Sequence, residues 1–266
     1  MLLVIDVGNT NSVFAVYNVE DIVGSWRLAT ESKRTSDEYA LSLKHLMADK
    51  NIKFTDIKNI IIACVVPESL FAFRRLARDY FKVELMVVGE NSVSIPIKVK
   101  LERPEEVGAD RLVNAVAVSD KYPGSKIVID FGTATTFDVV NDKGEYLGGV
   151  IAPGVDLSLH ALHAAAAKLP KVAVGKPEKV IGKNTIQAMR SGAYWGYIGL
   201  VEGIVEKIKS EYGKKMTVVA TGGLSPLFGK ATKVIDHLEP DLTIEGLKQI
   251  FEINKNNVVN IQKNKK

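Results

Sequence analysis

Apolar residues along this chain come in short blocks that end at acids. Leu3-Val4-Ile5 stops at Asp6 and leads into Val7-Gly8-Asn9-Thr10, and Ile127-Val128-Ile129 stops at Asp130 and leads into Phe131-Gly132-Thr133-Ala134. Superposed, the two segments read apolar-apolar-apolar-Asp-x-Gly, 124 positions apart. A β-rich run follows each turn, 12–17 in the first copy and 136–140 in the second, so each copy is predicted to be a hairpin with a polar tip. Solenoid periods fall at about 20–50 residues, so an interval this long points to a duplicated domain.

After the first hairpin the pattern predicts a strand over 22–29, a helix over 35–47, a strand over 60–66, a helix over 69–80, a strand over 84–88 and a helix over 104–122. After the second it predicts a strand near 145, helices over 155–168 and 185–212, a strand over 217–220, and helices over 226–231 and 243–252. Each half opens with an antiparallel meander and continues with alternating strands and helices. The expected fold is therefore α/β, two similar halves, each a mixed sheet flanked by helices. Pro123-Gly124 is a turn signal, which sets the expected division at 1–120 and 121–266.

Composition narrows the class. The chain has 266 residues, 46% hydrophobic and 25% charged, which excludes disorder and fibrous architectures. Its longest apolar run, Ile60 to Val66, is far short of the roughly 20 residues a spanning helix needs, so no membrane partner is expected. The start of the chain lacks a basic export signal. One cysteine, Cys64, forbids an intramolecular disulfide and a multi-cysteine zinc site, and the expected compartment is the cytoplasm. The formal charge is +4, and 254–266 alone carries four lysines and no acid; without them 31 basic residues meet 31 acidic ones. A nucleic-acid partner is therefore not expected, and the lysine run reads as a solvated, frayed end.

Four segments carry candidate chemistry. Asp6-Val7-Gly8-Asn9-Thr10-Asn11-Ser12 sets a carboxylate at a strand end among amide and hydroxyl donors, suited to phosphate oxygens and a hydrated cation. Alone it is equally an ordinary polar hairpin. Its near-copy at 130–136 favours two tips gripping a polyphosphate from both sides of an interdomain cleft. Thr221-Gly222-Gly223 follows an apolar strand, where glycines admit a flat ligand or simply enter a helix. Pro104-Glu105-Glu106-Val107-Gly108-Ala109-Asp110-Arg111 reads as a helix start in which Gly108 costs about 1 kcal/mol relative to alanine unless something approaches it. Asp110 near a helix N-terminus suits a base orienting a hydroxyl, and Arg111 an anionic substrate; a solvated Asp-Arg pair is the plain alternative.

These segments, in this order and spacing, resemble the type III pantothenate kinases. The first and third alone would indicate only the broad acetate-kinase, sugar-kinase, Hsp70 and actin superfamily; Gly108 to Arg111 between them makes the likeness specific. The resemblance implies two actin-like (ribonuclease H-like) domains and phosphoryl transfer from ATP to the 4′-hydroxyl of pantothenate, the first step towards coenzyme A. It further implies that Asp6, Val7, Gly8, Asn9, Thr10, Asn11, Ser12 and Val13 form the first phosphate loop, with Asp6 near Mg2+ through water. Thr133, Gly222 and Gly223 would contact ATP, and Asp130 would bind an activating K+ or NH4+. Asp110 would be the general base, and Leu101, Gly108, Ala109, Asp110, Arg111 and Thr185 would line the pantothenate pocket. Leu101 departs from the family's usual tyrosine, a change in one pocket wall.

Three further readings follow. Gly192, Gly196, Gly199 and Gly203 share one face of the 185–212 helix, and this smooth face fits a second helix, from another copy in the family's usual homodimer or from within the chain. His160 and His163 lack an evident third ligand, and Cys64 reads as core. Other superfamily kinases or phosphatases, or an ATP sensor without turnover, remain as alternatives to a pantothenate kinase.

Overall fold

A computed structural model describes residues 1–263 of the chain. In chain order the elements are β1 (Leu2–Val7), β2 (Asn11–Asn18), β3 (Asp21–Ala29), α1 (Ser36–Ala48), β4 (Asn59–Cys64), α2 (Pro67–Arg75), β5 (Leu85–Val87), β6 (Lys98–Val99), α3 (Ala109–Lys121), β7 (Ser125–Phe131), β8 (Ala134–Val140), β9 (Glu145–Pro153), α4 (Val155–Ala165), α5 (Thr185–Tyr212), β10 (Met216–Thr221), α6 (Ser225–Phe228), β11 (His237–Leu238) and α7 (Leu242–Lys263).

The sheets have orders β3-β2-β1-β4-β5 and β11-β10-β7-β8-β9-β6. Read from the opposite edge, the second repeats the first, with β9-β8-β7-β10-β11 in the places of β3-β2-β1-β4-β5 and β6 added outside. In both, the central strand pairs antiparallel with its hairpin partner on one side and parallel with a later strand on the other. The α/β reading and the duplication are thus present in the strand order itself.

The chain divides into two units. The first holds 1–97, 105–117 and the segment from Thr243 onward, and the second holds 98–104 and 118–242. This differs from a single cut after residue 120. The last helix belongs to the first unit because Ile244, Leu247, Ile250 and Phe251 pack with Leu2, Val4, Ile61 and Val113 on one face of that sheet. Leu3, Ile5 and Val7 face the other side, against Tyr39 and Leu43 of α1 and Phe73 of α2. Both faces of β1 are therefore buried, which is why it reads as a continuous apolar run. In the second unit Ile127, Ile129 and Phe131 pack under Tyr194, Tyr197, Ile198, Val201 and Val205 of α5.

Several boundaries move. The predicted helix over 104–122 is a 3₁₀ turn at Pro104–Glu106 followed by α3, with Gly108 immediately before the helix rather than inside it. The final helix is longer than expected and includes the backbone through Lys263; Lys265 and Lys266 lie outside the described residues. The two-residue strands β6 and β11 were not anticipated. The 69–80 segment begins two residues earlier at Pro67, which fits the first helical turn, and closes as a wider π turn over Leu76–Phe81.

Candidate active site

In the first unit the loop between β1 and β2 is pinned by Gly8 N–H, which donates to the Asn11 carbonyl at 3.0 Å. Asn9, Thr10 and Asn11 are exposed at the tip, Asp6 and Val13 are half-buried, and Val7 and Ser12 are fully buried. Residues 7 and 12 therefore contribute backbone to any ligand here, while the tip supplies side chains. Val65, just after β4, donates its N–H to the Val7 carbonyl at 3.0 Å and lies 3.6 Å from where a Cβ on Gly108 would sit. Val13 and Ala109 pack on the same apolar cluster. The first loop and Gly108–Arg111 are thus brought together at the carboxyl ends of parallel β1 and β4, where open α/β sheets bind ligands.

The reason for glycine at 108 is local. Asp110 Oδ1 accepts the Arg111 N–H at 2.8 Å and turns back over Gly108, so a Cβ there would lie 2.5 Å from that oxygen. The expected helix-interior cost at Gly108 does not arise, because the first turn of α3 closes on its carbonyl through Leu112 N–H at 3.2 Å. What approaches Gly108 is the Asp110 carboxylate itself, in the first turn of a helix, where the dipole favours negative charge.

The second unit assembles its own group. Gly132 N–H donates to the Ala134 carbonyl at 3.1 Å, leaving Thr133 exposed at the tip. Gly222, at φ +90°, is pressed onto this hairpin, and a Cβ on it would lie 2.4 Å from Asp130 Oδ1. Gly154 supports the tip from the other end by donating to the Thr133 carbonyl at 3.0 Å. Asp130, Thr133, Gly222 and the adjoining Gly223 therefore come together. Leu101 and Thr185 are placed on other elements: Leu101 packs on β9 at Gly148, and Thr185 is the exposed first residue of α5, capped by Asn184 accepting the Gln187 N–H at 2.9 Å.

Among the described residues no three His, Cys, Asp or Glu side chains cluster as a metal cage. Asp6 and Asp130 each stand near the end of a strand, two residues before a loop that carries Asn9, Thr10 and Asn11 in the first case and Thr133 in the second. That donor set fits a hard cation shared with waters and phosphate oxygens, the usual arrangement for Mg2+. Cys64 is half-buried, its thiol donates to the Val66 carbonyl at 3.2 Å, and burial pushes its pKa up, with the Asp6 carboxylate adding to the effect. His160 and His163 are exposed on α4, and His163 Nδ1 lies 2.6 Å from the Leu169 carbonyl.

Thr30, Tyr39 and Gly154 stand against these loops and were not singled out from the sequence. Pro153-Gly154 ahead of an apolar helix is a visible signal for the last. Thr30 and Tyr39 carry none, since they reach the first loop only through folding.

The fold is that of the actin-like kinases. A protein of Campylobacter jejuni described as a Baf family transcriptional activator is similar at a TM-score of 0.62 and 17% identity, covering 96% of this chain and 99% of that one. A 2-dehydro-3-deoxygalactonokinase protein of Sinorhizobium meliloti is similar at 0.53 and 12% identity, covering 96% of each chain. MreB 5 of Spiroplasma citri, solved with AMPPNP, is similar at 0.50 and 12% identity, covering 97% and 98%. Sequence goes further. A type III pantothenate kinase of Paramagnetospirillum magneticum is 56% identical over 254 residues, 96% of this chain and 98% of that protein. One of Caulobacter vibrioides is 51% identical over 256 residues, 96% and 98%. The type III pantothenate kinase family model matches residues 2–207, and the chain belongs to that family.

Proposed function

We propose that this chain transfers the γ-phosphoryl group of ATP to the 4′-hydroxyl of pantothenate, giving ADP and 4′-phosphopantothenate at the start of coenzyme A synthesis. The observation that carries this reading is Asp110, turned back over Gly108 on the same strand ends as the Asp6 loop. Phosphoryl transfer asks for positioning and charge compensation more than covalent chemistry. Asp110 accepts the proton of the alcohol as its oxygen bonds to the γ-phosphorus and the bond to the ADP oxygen breaks. Asp6 would hold Mg2+ through water, and Gly8–Val13 present backbone and tip side chains to the phosphates. Asp130 would hold K+ or NH4+, a cation that would supply positive charge to the nucleotide. Thr133, Gly222 and Gly223 contact ATP. Gly108, Ala109 and Arg111 contact pantothenate from the first unit, with Arg111 directed to the carboxylate, and Leu101 and Thr185 are further pantothenate contacts.

The enzyme works as a homodimer in the cytoplasm. No helix among the described residues is long and apolar enough to cross a membrane. Gly192, Gly196, Gly199 and Gly203 are exposed, and among the described residues a Cβ on any of them would meet nothing within 4 Å, so no described helix covers the stripe. Trp195, Ile186, Leu157 and Leu162 are exposed on the same helix and on α4, which supports an intersubunit surface. Gly196→Leu should shift sedimentation towards monomer; an unchanged dimer would remove this surface from the interface.

The activity is tested by ADP release with pantothenate and with a panel of other primary alcohols. Release stimulated by pantothenate is expected. Release indifferent to it would overturn the assignment, and ATP binding without turnover would favour a sensor.

A further inference from the structure

Under the first loop, on the α1 side of the sheet, lies a chain of hydroxyls that the reaction scheme does not use. Ser12 is completely buried, and its Oγ is 2.8 Å from Thr30 Oγ1. Thr30 also donates its backbone N–H to the Thr10 carbonyl at 2.9 Å. The Tyr39 hydroxyl is fully buried against Ser12, with no hydrogen-bond partner of good geometry. Arg34 closes the assembly from above, its guanidinium 5.3 Å over the Tyr39 ring and its Nη1 donating to the Ala29 carbonyl at 3.2 Å.

We infer that Thr30 and Tyr39 are positioning residues for the phosphate loop, acting through Ser12 and the Thr10 carbonyl. A backbone carbonyl drawn inward by Thr30 turns the opposite side of the tip outward, the orientation an anion needs. The hydroxyls of Ser12 and Thr30 lock the strand end that carries this N–H. Tyr39 packs its ring and hydroxyl against Ser12 from a helix whose start is fixed independently: Thr35 and Glu38 cap α1 reciprocally, Thr35 N–H donating to Glu38 Oε2 at 2.8 Å. A buried hydroxyl without a partner is costly to keep for stability alone, so its retention fits a role in the loop. Burial also pushes the Tyr39 pKa up, which keeps the phenol neutral beside Ser12.

This inference rests on the reading that the first loop takes the ATP phosphates, and the experiment separates the two. Steady-state kinetics are measured on Thr30→Val, Thr30→Ser, Tyr39→Phe and, as a direct tip variant, Thr10→Ala, with thermal melts alongside. Thr30→Val should raise KM for ATP about three- to tenfold, the worth of one hydrogen bond, and Tyr39→Phe, which removes only an oxygen packed on Ser12, about twofold, with KM for pantothenate unchanged. Thr30→Ser, which keeps the hydroxyl, should restore KM. Tyr39→Phe should melt no lower than wild type, since it removes an unpaired oxygen, so its kinetic effect could not be put down to a damaged fold. If Thr10→Ala raises KM for ATP while Thr30→Val and Tyr39→Phe do not, the positioning role is overturned and the phosphate loop stands. If none of the variants moves KM for ATP, the phosphate-loop reading falls, and this inference with it.

Discussion

The two hairpins built from the same apolar-Asp-x-Gly pattern each take one main-chain N–H on the tip carbonyl, Thr30 on Thr10 and Gly154 on Thr133, and differ in what stands behind that bond. Between the last paired residues the first has four residues, Gly8 to Asn11, and the second has three, Gly132 to Ala134. The first is backed by side-chain hydroxyls, Ser12 on Thr30, with Tyr39 beside them. The second is backed by main chain, with glycines 154 and 222 so close that a Cβ on them would fall 2.3 Å from the Thr133 carbonyl oxygen and 2.4 Å from Asp130 Oδ1. Duplication fixed the strand order and the place of the acid, while the support of each tip diverged. A side-chain scaffold leaves a loop adjustable, as suits a changing triphosphate; a backbone scaffold holds a carboxylate rigidly, as suits a cation site.

The sharpest break in that comparison comes from the acid that belongs to neither hairpin. Asp110→Asn should lower kcat by about 10²–10⁴-fold, the usual worth of a general base, with ATP affinity by calorimetry retained. Unchanged turnover would remove Asp110 from the reaction. Next in size is the contrast between the supports. Gly222→Ala, at φ +90° and in collision with Asp130 and Phe131, should cost about 2–4 kcal/mol in denaturant melts. Gly8→Ala, whose Cβ would stand 3.3 Å from the Asn11 carbonyl oxygen without positive φ, should cost about 1 kcal/mol or less. Equal losses would dissolve the distinction between the loops.

A smaller effect separates the cations. Replacing potassium or ammonium by the smaller, more tightly hydrated sodium should slow turnover roughly tenfold, and Asp130→Asn should erase the difference among the salts. Equal wild-type rates in all three would count against Asp130 as the ligand. The smallest concerns Cys64, whose thiol is held above its ordinary pKa by burial and, secondarily, by the Asp6 carboxylate. Asp6→Asn should therefore lower that pKa and speed alkylation at neutral pH by about two- to threefold, read by mass spectrometry.

Much of this was legible in the residue order, for physical reasons. Hairpins declare themselves through local alternation, glycine and polar tips, so β1-β2 and β7-β8 were visible. The start of α3 was misplaced because Pro104 and two acids are proper helix-entry signals, yet the backbone there makes only a 3₁₀ turn and begins again after Gly108. That Gly108 faces the Asp110 carboxylate needs three-dimensional knowledge of one side chain. The return of α7 to the first unit and the meeting of Ser12 with Thr30 and Tyr39 are contacts of distant segments, which no periodicity encodes. Strands of two residues such as β6 and β11 carry too few positions to show a period.

The account stands or falls on where the phosphoryl group goes. Phosphorus NMR of the purified enzyme with ATP and pantothenate should show a new phosphomonoester coupled to methylene protons, growing in step with ADP. A spectrum in which inorganic phosphate alone accumulates would contradict it.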